Sequence, residues 1–348
     1  MRRYCEKKRT SLFWILLILC AALQSCTLID KKADEKILHT FAEKDPLFSK
    51  LKMDGFIMVR PGVTDTFNSL AARFFGDKNK GWLIAKFNRQ DRVIAGKPLI
   101  VPLEPIYLGG LENDSYQTVP VLVYHQFSND HSDKMTIKAE DFFEQMLYLK
   151  ENDFSVIDLD QLIDFMEFRA PLPEKSVVIT IDDGWLSAYE IAYPILKSFG
   201  YSATLFVYTD FIGGEKAMKW SQIKEMAQNG FNVQSHTKSH QSLTIIHESA
   251  PFEEYFRFLV RELEVSKNTI EDYLNTDCRY LAYPFGETNE LVISLAKKMG
   301  YRAAFTVNRG SVPFFENRYT IGRSVIYGDS DLDQFINNLS CQKAINFK

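Results

Sequence analysis

From residue 119 onward, short apolar runs alternate with longer stretches in which apolar residues recur every three or four positions. The short runs predict strands at 119–124, 155–157, 176–181, 202–207, 232–235, 279–283 and 303–307. The longer stretches predict helices at 139–152, 160–169, 187–199, 219–229, 253–273, 289–299 and 332–339. Val177-Val178-Ile179 is apolar without a break, as in a strand covered on both faces. Strand–helix alternation of this length argues a parallel sheet and the α/β class. A closed or distorted (β/α) barrel fits the number of units, with an open doubly wound sheet as the alternative.

A different pattern precedes it. Residues 55–105 read as a small α+β domain in the order strand, helix, helix, strand. Phe56-Ile57-Met58-Val59 and Leu99-Ile100-Val101-Pro102 are strand-like, and Arg60-Pro61-Gly62 is a turn signal. Phe67, Leu70, Ala71 and Phe74 share a helical face, and 82–88 is a second short amphipathic helix. Further upstream, Arg2, Arg3, Lys7, Lys8 and Arg9 precede an apolar run at 12–23. The run is shorter than the ~20 apolar residues a membrane span needs, and its basic-then-apolar plan is that of a secretory signal peptide. Leu23-Gln24-Ser25-Cys26 resembles the lipobox of bacterial lipoproteins, which implies lipidation at Cys26. The expected layout is a signal peptide at 1–26, a charged tether at 27–54, the small module at 55–105 and the α/β domain at 117–340. That layout predicts an extracytoplasmic protein held to the envelope by lipid, at the outer membrane if the host has one, since no Asp follows Cys26.

Composition adds two constraints. The 348 residues carry a net charge of -4, which argues against a nucleic-acid partner. Of five cysteines, Cys5 and Cys20 would leave with the signal and Cys26 would be acylated. Cys278 and Cys341 remain, either as a disulfide or as two buried thiols.

The chemistry-bearing residues fall at the C-terminal ends of predicted strands. His125 follows the first, Asp182-Asp183-Gly184 the third, and His236 the fifth, with His240 four positions later. Pro284-Phe285-Gly286 follows the strand at 279–283. In a barrel those ends converge on the face that carries active sites. Two imidazoles and a carboxylate suit Zn²⁺ or a similar divalent ion, and on one helical turn the His236/His240 spacing would put both rings on one face. Adjacent carboxylates can divide the work, one on the metal and one as base. Hydrolysis of an amide also needs a proton for the leaving amine, and His125 is the candidate acid. Taken singly, Asp-Asp-Gly is usually a turn and His-x-x-x-His usually a solvated helix face; their joint placement gives them weight.

These residues also carry resemblances. Val59-Arg60-Pro61-Gly62, Leu70 to Asp77, Trp82-Leu83-Ile84-Ala85 and Gly96 to Pro102 resemble the LysM module, which implies binding of N-acetylglucosamine chains. Thr180-Ile181-Asp182-Asp183-Gly184-Trp185 resembles the first motif of the polysaccharide deacetylases (NodB-like, carbohydrate esterase family 4). His236-Thr237-Lys238-Ser239-His240 resembles their second motif, and Arg279 to Gly286 the third. Val119 to His125 is similar to the opening of the branch acting on extracellular poly-N-acetylglucosamine. The resemblance implies a distorted barrel and a metal-dependent de-N-acetylase. It implies Asp182 as base, Asp183, His236 and His240 as ligands of a divalent metal, usually zinc, and His125 as acid. It also implies Tyr124, Trp185, Pro284, Phe285 and Gly286 beside the substrate, with the Phe285 N–H helping the oxyanion. Three departures stand out: Ala282 occupies the place of an Arg that contacts the base, no Asp-Trp pair lies near 305–310, and no His follows His247. On that pattern the base is expected to lack its Arg partner. A catalytically weak or inactive glycan-binding lipoprotein is the alternative function.

Overall fold

The computed structural model describes residues 52–53, 56–103, 110, 115–245 and 251–345. The signal-like segment, Cys26 and all but the last residues of the tether lie outside the described residues. The chain divides into two units, Met1–Ile106 and Tyr107–Lys348.

In the first unit β1 (Lys52–Met53), β2 (Phe56–Val59) and β3 (Leu99–Pro102) form an antiparallel sheet in that order. Helices α1 (Phe67–Phe75) and α2 (Gly81–Asn88) lie between β2 and β3 in sequence. Thr66 caps α1 by accepting from the Ser69 N–H, and Gly76 ends it in the left-handed region. Ile57, Val59, Leu70, Ala71, Ile84, Leu99 and Val101 close a small core. Asn88 ties helix to sheet: its Nδ2 donates to Ile84 and Ile100 carbonyls and its Oδ1 accepts the Ile100 N–H.

The second unit is a curled, mostly parallel sheet. Its strands are β4 (Ser115–Tyr124), β7 (Ser155–Val156), β8 (Ser176–Asp183), β9 (Thr204–Val207), β10 (Asn232–Ser235), β11 (Tyr280–Ala282), β12 (Ala303–Phe305), β13 (Ser311–Pro313), β14 (Ser324–Val325) and β15 (Gln342–Ala344). A side ribbon pairs β5 (Gln126–Ser128) with β6 (Thr136–Lys138). The main order is β12-β11-β10-β9-β8-β4-β13, with β7 on β8 and β14 and β15 on β4. The curl is drawn together by residues 318–325: β14 runs parallel to β4, Ala304 N–H donates to Arg318 O, and Ile321 N–H donates to Ala304 O. This is the distorted barrel expected from the alternation. The sheet is mixed, however, since β13 and β15 are antiparallel to β4; short edge strands of that kind carry too little periodicity to read from sequence.

Helices α3 (Ala139–Glu151), α5 (Tyr193–Phe199), α6 (Trp220–Gln228), α7 (Phe252–Leu274), α8 (Glu290–Lys298) and α9 (Leu332–Ile336) bury their apolar faces in the outer core. A π-helical turn, Ala188–Ala192, leads into α5. Helix α4 (Leu159–Met166) packs instead on the inner core with Val121, Val178, Phe206, Tyr280 and Phe305. Its Asp160 pairs with Arg279 and Arg302, which stand just before β11 and β12, so α4 plugs the end of the barrel opposite the C-terminal ends of the strands. Cys278 and Cys341 are free thiols, with Cys278 buried.

Candidate active site

Period-two alternation along β8 sets up the site. Val177, Ile179 and Ile181 face the outer core, while Val178 faces the barrel interior. Asp182 therefore points inward, and it is almost wholly buried. Asp183 would then point away, but its backbone sits at φ 75°, in the left-handed region. This strained turn brings both carboxylates to one place: His236 Nε2 is 3.8 Å from Asp182 Oδ2 and 3.7 Å from Asp183 Oδ1.

Asp182 is clamped by Arg323. The guanidinium donates to both carboxylate oxygens at 2.8 Å, and also to Thr180 Oγ1 and the Thr306 carbonyl at 3.1 Å. Its face lies over the Phe206 ring, 5.1 Å from the centroid. Burial works to raise the Asp182 carboxyl, but the charge and hydrogen bonds of Arg323 lead the opposing causes, and the carboxyl is held below the usual carboxylate range. The expectation that the base lacks an arginine partner is thus corrected. The partner comes from the segment before β14 instead of from position 282. The sequence offered no signal for it beyond a lone Arg between small residues.

Asp183, His236 and His240 bring one ligand atom each to within 4.8 Å of one another. The Nε2 atoms of His236 and His240 lie 3.7 and 3.5 Å from Asp183 Oδ1. That oxygen is buried and has no hydrogen-bond partner, while the other, Oδ2, accepts from Trp185 Nε1 at 2.9 Å. A buried, unpartnered carboxylate oxygen facing two imidazole nitrogens costs free energy unless a cation sits among them. His236 Nδ1 lies 2.8 Å from the Ala282 carbonyl, so Nδ1 carries the proton and Nε2 is left as a ligand. Burial pushes the His236 imidazole down to about 4, against the pull of Asp182 and Asp183, so it is neutral and able to ligate. The donor set fits a divalent metal such as zinc.

The His236–His240 pair is not on a helical turn, contrary to the sequence expectation. After β10 the chain makes an irregular loop with Thr237 at φ 68° and His240 at φ 57°. That reversal, rather than helical spacing, turns both rings the same way, with centroids 4.7 Å apart. Helix α7 holds the loop from behind. Glu262, buried, accepts from the Ser239 N–H and Oγ–H at 2.8 and 2.9 Å, and Ser266 bonds Ser235.

The remaining expected residues divide. His125 follows β4 at the catalytic end, close enough to act on the charge of Asp182. Phe285 is exposed and packs on the His240 ring at 4.8 Å. Tyr124 does not reach substrate: it is wholly buried, facing α3, and donates its hydroxyl to Gln145. Pro284 is also buried, and Gly286 (φ 73°) is packed where any Cβ would lie 2.6 Å from the Val307 backbone nitrogen. Both shape the turn that presents Phe285. Trp185 is committed to Asp183 through its indole N–H.

Comparison with known proteins agrees with this geometry. Residues 169–304 match the polysaccharide deacetylase family. The protein YxkH of Bacillus subtilis is 29% identical over 205 residues, covering 59% of this chain and 70% of that protein. The poly-beta-1,6-N-acetyl-D-glucosamine N-deacetylase of Staphylococcus aureus is 25% identical over 214 residues, covering 60% and 73%. Among solved structures, a de-N-acetylase from Aggregatibacter actinomycetemcomitans superposes with TM-score 0.58 at 25% identity, covering 65% of this chain and 100% of that one. With the Asp-Asp strand end, the His loop and the curled sheet all present in one unit, the second unit is a polysaccharide-deacetylase-like enzyme domain, matched by the family model over residues 169–304.

Proposed function

We propose that this protein is a metal-dependent hydrolase that removes N-acetyl groups from N-acetylglucosamine units of an extracellular or cell-wall polysaccharide. The observation that carries the reading is the orphaned Asp183 Oδ1, facing two imidazole nitrogens beside a buried, arginine-clamped second carboxylate. When bound by Asp183, His236 and His240, a divalent ion, zinc on this donor set, supplies Lewis acidity toward the amide carbonyl and the attacking water. Asp182, kept ionised by Arg323, takes a proton from the water as its oxygen adds to the carbonyl carbon. The Phe285 N–H has no backbone acceptor among the described residues and is the donor for the developing oxyanion. His125 delivers a proton to the sugar nitrogen as the C–N bond breaks, leaving acetate and a glucosamine unit.

The name of the S. aureus relative supports an exopolysaccharide substrate over peptidoglycan. We read the first unit as a LysM-like module that docks on glycan and Cys26 as the lipid attachment, which would hold the enzyme outside the cytoplasm. The Arg323 clamp weighs against an inactive scaffold, since a buried ion pair seldom stabilises a fold more than apolar residues of similar volume would.

The deciding experiment measures acetate released in parallel from poly-N-acetylglucosamine, peptidoglycan and chitin oligomers, with zinc and after chelation. Release from one polymer that is lost with chelator and in Asp182→Asn supports the reading. Release that survives metal removal sinks it. Labelling with a radioactive fatty acid tests the anchor: label that enters the parent protein and is lost in Cys26→Ala supports lipidation at Cys26, and a parent protein that takes up no label rules it out.

A further inference from the structure

The His240 loop and the turn that carries Phe285 are tied together at more than one point. Phe285 touches His240, with ring centroids 4.8 Å apart. Two residues further along each segment, Glu287 meets Ser242. Its Oε2 accepts the Ser242 hydroxyl at 2.5 Å and the Thr244 hydroxyl at 3.2 Å. Those two hydroxyls lie 3.1 Å apart, so the three oxygens close a small cluster. A second tie runs through α7. Tyr255 donates its hydroxyl to the Leu243 carbonyl at 2.7 Å and accepts from Asn289 Nδ2 at 3.1 Å. Leu243 is wholly buried, which fixes the segment that Glu287 grips.

The turn needs such ties. Phe285 sits at φ 59° and Gly286 at φ 73°, two left-handed residues in succession. Only the second is a glycine, and a bulky side chain at positive φ persists only where its surroundings hold it. Within the turn, the Gly286 N–H donates to Tyr283 O at 2.9 Å and the Glu287 N–H to Pro284 O at 3.2 Å. With those two amides occupied, the Phe285 N–H is the one left for a reacting carbonyl.

Glu287 itself is no metal ligand. The cluster able to hold an ion is Asp183, His236 and His240. Glu287 is exposed on the outgoing side of the turn, and both hydrogen bonds its side chain makes among the described residues go to the segment that leaves His240.

We infer that Glu287 is a positioning residue: by stapling the 284–287 turn to the segment after His240, it sets the Phe285 N–H at a fixed place relative to the metal ligands. The inference rests on the metal-dependent deacetylase reading above. An oxyanion is stabilised by an ion and an amide donor together only if their separation is fixed before the reaction. Docking of the glycan draws on many contacts, whereas the oxyanion draws on this one separation. Loosening the staple therefore lowers kcat and leaves KM in place. Zinc affinity is also spared, because the His240 loop keeps its bonds to Glu262 and Tyr255.

The test compares Glu287→Ala and Glu287→Gln with the parent, each as the zinc-loaded full chain. Ala lowers kcat by about 10–100-fold, short of the roughly 10²–10³-fold cost of deleting an oxyanion donor. Gln keeps an amide oxygen that can accept both hydroxyls, so it retains most of the rate. A methylphosphonamidate analogue of the tetrahedral intermediate binds Glu287→Ala more weakly by the factor that kcat has lost, while zinc affinity, read with a chromogenic chelator, stays at the parent value. Replacing the partners instead, Ser242→Ala with Thr244→Val, reproduces the loss, and adding Glu287→Ala to them lowers the rate no further. Parental kcat in Glu287→Ala overturns the inference. So do losses that add, or a Gln variant as slow as Ala, which would assign the effect to the charge. A drop in zinc affinity or melting temperature large enough to explain the lost rate reduces Glu287 to a structural residue. A parent protein that releases no acetate with zinc bound rejects the deacetylase reading, and the oxyanion role with it, before any variant is compared.

Discussion

Arg323 and Asp182, 141 positions apart, meet as a two-pronged ion pair at 2.8 Å on each prong, with Arg323 wholly buried and Asp182 almost so. Removing one partner of such a pair strands the other charge, at about 3–5 kcal/mol. Arg323→Met should therefore lower the melting temperature and the rate together. It should also change the pH profile. With Arg323 gone, burial is left to raise the Asp182 carboxyl, so the acid limb of kcat/KM moves to higher pH. Arg323→Lys keeps a charge without the two-pronged geometry and should restore part of both losses. A profile that stays in place in Arg323→Met would show that Asp182 is not the base.

The metal-free protein should lose stability on mild acidification. His236 is held neutral by burial, with its imidazole lowered to about 4 against an unfolded value near 6.5. Between those values the unfolded chain binds a proton that the folded chain refuses, so stability rises with pH across that window and falls as pH drops from 6.5 toward 4. Thermal melts of chelated protein should show this slope, and His236→Gln should flatten it. An equal slope in the variant would assign the effect to other groups.

The architecture was legible because buried parallel strands leave apolar runs: 232–235 was delimited to the residue, and β8 overran its predicted end only by the two aspartates. The site was legible where a motif sits at a strand end, as for Asp182, Asp183, His236 and His240. What was hidden depended on tertiary approach. Arg323 reaches Asp182 only because residues 318–325 draw the curl of the sheet together. Tyr124 looked like a site residue because it precedes His125, yet alternation along β4 turns it to the helix layer with Leu122. The His-x-x-x-His spacing suggested a helix, but left-handed residues at 237 and 240 produce the same convergence.

Metal affinity should depend on a residue that touches no ligand atom. Glu262 accepts both the N–H and the hydroxyl of Ser239, the neighbour of His240, from within α7. Glu262→Gln turns one acceptor into a donor and loosens that loop. Zinc affinity, read by competition with a chromogenic chelator, should fall by about tenfold or more, as for other residues that orient ligands. Circular dichroism should stay unchanged; affinity equal to the parent's would mean the loop is fixed without Glu262.

Gly286→Ala tests the turn beneath Phe285. The residue sits at φ 73°, and an added Cβ would lie 2.6 Å from the Val307 nitrogen, which is backbone and cannot swing aside. Strain of about 1–3 kcal/mol is expected, relieved by moving the turn. Because Phe285 packs on His240, the shift should raise KM and weaken zinc together. A variant with parental KM and zinc affinity would show that the turn yields elsewhere.

Trp185 separates two roles that sequence alone could not. An aromatic beside Asp-Asp-Gly reads as a sugar platform, but its indole N–H donates to Asp183 Oδ2 and its ring packs edge-on against Phe211, 4.7 Å between centroids. Trp185→Phe keeps the ring contact and deletes the N–H. If Trp185 works by aiming Asp183, zinc affinity falls about tenfold, KM measured at saturating zinc stays near the parent value, and Trp185→Ala costs more in stability than in KM. If it were a platform for sugar, both variants would raise KM at saturating zinc, Ala more than Phe, with zinc affinity unchanged. The hydrogen bond fixes one oxygen of Asp183 and leaves the other for the ion, so the first outcome is the one the geometry requires.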